Sequence, residues 1–136
     1  MARPYIGGTS GCIKAVTADT TFTVADSGKS IILDGSTALN LTMTLPATTT
    51  SKGVILDFVL GVASNAATEI LITSDTNIVG GVILNGTGAV TAITSGASRG
   101  FGDASDAGSR MHIVCDGSQW VILNANSDVA FVTSFS

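Results

Sequence analysis

The chain has 136 residues, of which 45% are hydrophobic and only 12% charged, and its formal net charge is −4. That length suits a single domain. The six basic residues are scattered and form no cluster, so we expect no nucleic acid partner, whose phosphates need several converging cations. No window approaches the roughly 18 apolar residues of a membrane span. No apolar leader is visible at the start, so we expect the protein to be used in the compartment where it is made.

The low share of charged residues also bears on whether the protein is a monomer or part of an assembly. A free monomer normally depends on surface charge for its solubility. A chain this poor in charge predicts that partner subunits cover part of its surface.

In chain order, the first segment is predicted to be an N-terminal arm over residues 1–19, followed by one β domain over residues 20–136. The arm has no hydrophobic period and contains Gly7, Gly8 and Gly11. Arg3, Pro4 and Tyr5 combine a cation with an aromatic ring, the residue types that anchor interfaces. We expect them to contact a partner surface, and a disordered terminus is the alternative.

Alternation of apolar and polar residues predicts the first strands of the domain, at residues 20–24, 30–33 and 39–45. In the third strand four apolar side chains share one face: Leu39, Leu41, Met43 and Leu45. The apolar run over residues 54–60 predicts a strand that is buried on both faces.

Turn signals divide the second half of the chain. A strand at residues 69–73 precedes a kinked strand at 77–84, and the Asn85-Gly86 turn predicts a hairpin into residues 90–93. A long loop is expected at residues 95–109. A second hairpin pairs residues 111–115 with 119–123 around Asp116-Gly117-Ser118, and a last strand is expected at 129–131.

Nine or ten short strands without a sustained helical period predict an all-β fold with little or no helix. The architecture expected from this spacing is an antiparallel β-sandwich or a jelly-roll-like arrangement.

Residues that could perform catalysis are few, and we expect neither an enzyme nor a cofactor. His112 is the sole histidine, and Cys115 would project to the opposite face of the same strand, which disfavours a catalytic pair. Cys12 and Cys115 are expected to be free thiols. Asp103 and Asp106 suggest a solvated loop rather than a calcium site, which needs six to eight oxygen ligands.

The aromatic residues allow more than one interpretation. Trp120 could stack on a sugar or a partner ring, but a hairpin aromatic that covers the core is favoured. Phe131 and Phe135 are candidates for core or subunit contacts, as are Phe22 and Phe58.

Five short motifs together resemble one family of proteins. They are Asp26-Ser27-Gly28-Lys29-x-Ile31-x-Leu33-Asp34, Leu41-Thr42-x-Thr44-Leu45-Pro46, Gly53-x-x-Leu56-x-Phe58, Ile78-Val79-Gly80-Gly81-Val82 and Asp116-Gly117-Ser118-x-Trp120. Their order and spacing, over roughly residues 20–123, are similar to small head decoration (cement) proteins of tailed bacteriophages, particularly marine and cyanobacterial ones.

The resemblance implies a structural virion protein without catalytic residues. It implies a homotrimer that sits on the outer surface of the capsid, is made in the host cytoplasm, binds the major capsid protein and stabilises the head. Arg3, Pro4 and Tyr5 are then the expected capsid contacts, and Trp120, Phe131 and Phe135 the expected subunit contacts. Similar blocks occur in tail-fibre and neck-fibre modules, so a fibre module that binds host surface glycan is the alternative.

Overall fold

The computed structural model describes residues 12–36, 39–65, 68–80, 82–85, 90–92, 96–127, 131–132 and 135. These residues form β-strands and two single turns of 3₁₀ helix, Val24–Asp26 and Thr48–Thr50, which confirms the all-β prediction. The strands are β1 (Ile13–Val16), β2 (Thr20–Thr21), β3 (Ser30–Asp34), β4 (Leu41–Thr44), β5 (Ile55–Val62), β6 (Ile70–Gly80), β7 (Val82–Asn85), β8 (Val90–Ala92), β9 (Gly96–Phe101), β10 (Arg110–Cys115), β11 (Trp120–Ser127) and β12 (Phe131–Val132).

Consecutive strands in the first half of the chain alternate between two parallel ladders. One ladder contains β1, β3 and β5, and the other contains β2, β4 and β6. The chain therefore winds through three successive coils, each of which adds one strand to each ladder. This is the arrangement of a short β-solenoid, in which each coil pairs with the coils next to it.

Backbone hydrogen bonds continue from coil to coil beyond the strands themselves. The Phe22 N–H donates to the Thr44 carbonyl at 2.9 Å, and the Leu45 N–H donates to the Thr73 carbonyl at 2.9 Å. At another corner the Asn40 side-chain oxygen accepts the Glu69 N–H at 2.9 Å. Because buried backbone groups need partners, these bonds fix the stacking of the coils.

The core lies between the two ladders and takes side chains from both. Leu41, Met43 and Leu45 are buried as the alternation predicts, whereas Leu39 is 72% exposed. The Phe22 and Phe58 rings, which lie in different coils, meet edge to face at 5.4 Å between centroids. Such contacts join the two ladders through side chains rather than through backbone.

The β10–β11 hairpin closes one end of the molecule. β10 pairs antiparallel with β5, and β11 pairs parallel with β6, so the hairpin connects the two ladders. In its turn one Asp116 carboxylate oxygen accepts the Ser118 and Gln119 N–H groups, and Gly117 has a φ of 102°, a conformation that favours glycine. The predicted hairpin is confirmed.

Two features of the predicted architecture are wrong. Of the eleven strand pairings described, six are parallel, so the sheet is mixed rather than antiparallel, and a jelly roll is not confirmed. Strand β5 alternates between buried and half-exposed residues, so it is not buried on both faces. The sequence predicted that the turns would reverse the chain within one sheet. In the first half of the chain they instead connect a strand of one ladder to a strand of the other.

Two segment boundaries also change. β1 lies within residues 1–19, where an arm was predicted, and it pairs with β3 along its whole length. β9 occupies part of the predicted loop at 95–109 and pairs antiparallel with β6 and β12. The β7–β8 pairing confirms the first hairpin, and its turn at residues 86–89 lies outside the described residues.

The pairing of β9 with β6 depends on a glycine. A Cβ at Gly100 would overlap the backbone of Ile70 and Leu71. Only a residue without a side chain lets the two strands approach this closely.

We therefore expect Gly100→Ala to lower the free energy of unfolding by about 2–3 kcal/mol, because the added methyl group forces two paired backbones apart. Urea denaturation measures this change. Ser98→Ala on the same strand is the control and should change stability by less than about 0.5 kcal/mol. Equal stability of the two variants would contradict the close approach.

Candidate assembly surface

The outward side of the ladder that contains β1, β3 and β5, continued through β10 and β11, is unusually apolar. We call it the apolar face and define it by three cross-strand rows. The first row holds Ala15, Ile32, Val59, Arg110 and Asn126; the second holds Ile13, Ser30, Asp57, His112 and Asn124; the third holds Ile55, Val114, Val121 and Val79.

Eight of these fourteen positions are aliphatic, whereas the solvent side of a sheet is normally polar. Ile13 is 57% exposed and Ile55 38% exposed. Leu123, at the bulge in β11, and Val62, at the end of β5, add further exposed aliphatic side chains beside the rows. The first and third rows are mainly aliphatic, whereas four of the five residues in the second row are polar. Exposed aliphatic side chains on two of the three rows make this face a candidate interaction surface.

One ion pair lies within the apolar face. Arg110 donates from Nε and Nη2 to the two carboxylate oxygens of Asp57, both at 2.7 Å. This bidentate hydrogen bonding raises the pKa of the Arg110 guanidinium above its ordinary value. Each charge is thus neutralised within the chain, and neither requires a partner from outside.

His112 is half-buried on the same face, directly opposite Asp57 in the β5–β10 register. Cys115 points to the other side, into the core, and its thiol donates to the Thr48 carbonyl at 3.6 Å. The structure therefore separates the two residues, as the sequence predicted. Both cysteines are free.

The outward side of the second ladder has a different chemistry. The cross-strand row of Thr21, Thr44, Thr73 and Ser98 presents hydroxyl groups, and the next row holds Thr42, Leu71, Gly100 and Val132. We call this surface the hydroxyl face. Its threonines cover an exposed sheet without charge and can hydrogen-bond to water.

The end of the solenoid formed by the first coil is covered by charged groups. The buried Asp26 carboxylate accepts hydrogen bonds from Lys14 at 3.2 Å, from Lys29 at 3.0 Å and from the Thr23 N–H at 3.0 Å. The Lys14 ammonium also lies 5.0 Å from the centre of the Phe22 ring. We call Lys14, Asp26 and Lys29 the end cluster, because together they lie over the core where no further coil follows among the described residues.

The end cluster favours the ionised form of Asp26 over the protonated form. Burial raises the pKa of Asp26, but the hydrogen bonds from Thr23, Lys29 and Lys14 outweigh it and hold the pKa below its ordinary value. The charged form is therefore the one that the fold stabilises.

Arg99 is a buried cation that no sequence pattern predicted to lie inside. It lies opposite Ile72 in the β6–β9 register and is 3% exposed. One guanidinium nitrogen donates to the Ser98 carbonyl, while Nη2 is buried without a hydrogen-bond partner. Burial lowers the pKa of Arg99, since it disfavours the charged form.

The residues predicted as contacts fall into three groups. Arg3, Pro4 and Tyr5 lie outside the described residues. Trp120 is completely buried in the core, which confirms the core-covering interpretation and leaves no surface for the predicted subunit contact. Phe131 is half-buried against Phe101, with 5.4 Å between ring centroids, and Phe135 is 38% exposed, so both keep accessible area.

Comparisons with known proteins add no assignment: no family model, no curated protein and no solved structure matches the chain. Across the described ranges, no three His, Cys, Asp or Glu residues come together as a possible metal site. Within those same ranges, no helix is long and apolar enough to span a membrane.

The end cluster predicts a pH-dependent stability. Because the folded-state pKa of Asp26 is lowered, its contribution is present above the unfolded-state pKa of about 3.9 and is lost as the pH falls through the folded value. We expect Asp26→Asn to cost about 1–3 kcal/mol at pH 7. Denaturation at pH 7 and pH 3 should show this difference shrinking in acid. Asp103→Asn, in an exposed turn, is the control, and a difference independent of pH would contradict the role of the charge.

Arg99 predicts the opposite sign of effect. Replacing a buried, incompletely paired cation with an apolar side chain of similar length removes a desolvation cost. We expect Arg99→Met to raise the free energy of unfolding by about 1 kcal/mol or more in urea denaturation. Arg110→Met, which removes an exposed and paired guanidinium, should give no increase. A clear loss of stability in Arg99→Met would show that the guanidinium has a stabilising partner.

Proposed function

We propose that the protein is a structural virion protein that decorates the outer surface of a phage capsid as a homotrimer and stabilises it. The observation that carries this proposal is the apolar face, a surface of internally neutralised charge on a rigid β unit. The motif order that resembles head decoration proteins supports the same function. The major capsid protein is the proposed partner, and the host cytoplasm is the proposed place of synthesis.

The physical basis of such a function is repetition of weak contacts. A contact with a dissociation constant of about 1 mM supplies only about 4 kcal/mol. When three copies are joined, the first contact raises the effective concentration for the others to the millimolar range. A trimer can therefore hold neighbouring capsid subunits together although each interface is small.

A protein that holds capsid subunits together must be stiff, and the pairing of the coils favours stiffness. Every strand of the two parallel ladders is hydrogen-bonded to a strand of a neighbouring coil. Core side chains from both ladders fill the space between them, and close packing of this kind resists deformation. A unit built this way deforms little when its neighbours move, which suits a clamp.

A fibre module that binds host surface glycan is the second candidate. The observation that favours it is the parallel coil arrangement, since solenoids extend along one axis by adding coils. In the described part of the chain, β1 and β2 form the outer edges of the two ladders. The hydroxyl face would be the glycan-facing surface in that case.

The two candidates predict different positions on the virion. We expect antibody labelling to detect many copies over the head, and purified protein to bind expanded, undecorated capsids and raise their heat resistance. A few copies at the neck or tail would favour the fibre module instead. Protein that binds neither position would contradict both.

The arm residues provide a variant for the capsid assay. We expect Tyr5→Ala to weaken capsid binding by about 30-fold, the effect of losing one hot-spot side chain. Thr49→Ala, at an exposed position in the second 3₁₀ turn, is the matched control and should bind as the natural protein does. Unchanged binding by Tyr5→Ala would place the capsid contact elsewhere.

A further inference from the structure

We propose that the apolar face is the surface through which copies of this chain bind one another. The proposal rests on the proposed function only for the number of copies, three. It replaces Trp120, which the fold buries, as the centre of the subunit contact. The surface is defined by the three rows given above.

The size of the apolar face fits an interaction surface. Five strands about 4.8 Å apart, with about five residues each at 3.3 Å, cover roughly 400 Å² before side-chain relief is counted. Eight of the fourteen positions within this area are aliphatic, and apolar patches of a few hundred Å² on a single chain are often functional. The third row is entirely aliphatic, so the side chains of Ile55, Val114 and Val121 form a continuous strip across three strands.

The distribution of charge indicates a second copy as the occupant. The chain carries a net charge of −4, so two copies repel each other wherever acidic surfaces meet. Exposed carboxylates lie outside the three rows, at Asp19, Asp103, Asp106 and Asp116 in loops and turns and at Asp75 within β6. On the apolar face the Asp57 and Arg110 charges cancel, so copies can approach there without repulsion.

The Asp57–Arg110 pair also survives contact without a new partner. Both hydrogen bonds are made within one chain, and the Asp57 side chain is already only 15% exposed. Buried charges are costly when they have no partner. Covering this pair leaves neither charge unpaired, so that cost does not arise.

The apolar face exists as soon as the chain has folded, which is a further reason to propose a second copy as its occupant. The apolar face is formed by folding and is present before any capsid is encountered. Another copy of the chain is available from the moment of synthesis and at equal concentration. A partner that arrives later would leave this surface exposed to aggregation in the meantime.

The test places one positive charge on each outer face. Ile55→Lys and Leu123→Lys put an ammonium on or beside the apolar face, and Thr44→Lys puts one on the hydroxyl face. All three positions are exposed and all three variants reduce the net negative charge equally, so long-range repulsion does not distinguish them. Ile55→Val keeps the apolar character and serves as the conservative variant.

Sedimentation equilibrium and light scattering give the mass of each variant, and circular dichroism with thermal unfolding confirms folding. We expect the natural protein, Thr44→Lys and Ile55→Val to have a mass near three times 13.6 kDa. Ile55→Lys and Leu123→Lys should raise the dissociation constant by about 30-fold or more. Unaltered association of both folded variants, dissociation of Thr44→Lys alone, or a natural protein that is monomeric throughout would each overturn the proposal.

These outcomes are separable from those for the proposed function. A stable oligomer that dissociates on Ile55→Lys but fails to bind capsids retains the inference and contradicts the capsid proposal. A monomer that binds capsids does the reverse.

Discussion

Parallel pairing between successive coils is the constraint on which the rest of the structure depends. Each strand of one ladder is bonded to the strand one coil earlier, so the chain must leave for the other ladder before it can return. That path creates two outer faces and one enclosed core. It also creates two ends, and each end of a coil stack exposes core and unpaired backbone unless something covers it.

The two ends are covered in different ways. The β10–β11 hairpin closes one end with backbone pairing to both ladders. At the other end the Lys14 and Lys29 ammoniums meet the Asp26 carboxylate, and the Lys14 ammonium lies over the Phe22 ring. A hairpin continues the hydrogen bonding of the sheet, whereas a charged cluster is difficult to bury under another strand. The end cluster therefore disfavours the addition of a strand from another molecule at this end.

The two outer faces differ because alternate residues of each strand point outward, and the two ladders carry different residues there. Valine and isoleucine occupy half of the positions in the rows of one face, and threonine occupies half of those on the other. Both residue types are β-branched and favour extended backbone, so local strand preference is the same on both. The difference affects only what each surface can contact, because one ladder presents more aliphatic side chains and the other more hydroxyl groups.

The sequence by itself determined the all-β class, the positions of most strands, the inward side of β4 and the Asp116 hairpin. These follow from alternation and turn residues, which act within a few residues of each other. Only the tertiary structure decided which strands pair, and in which direction. Parallel and antiparallel neighbours pair through the same backbone groups. The alternation of apolar and polar residues along a strand therefore does not indicate which strand it pairs with. For that reason the burial of Arg99, the incorporation of β1 and β9, and the meeting of Asp57 with Arg110 across 53 residues could not be predicted. Pairing depends on how the whole chain fills one core.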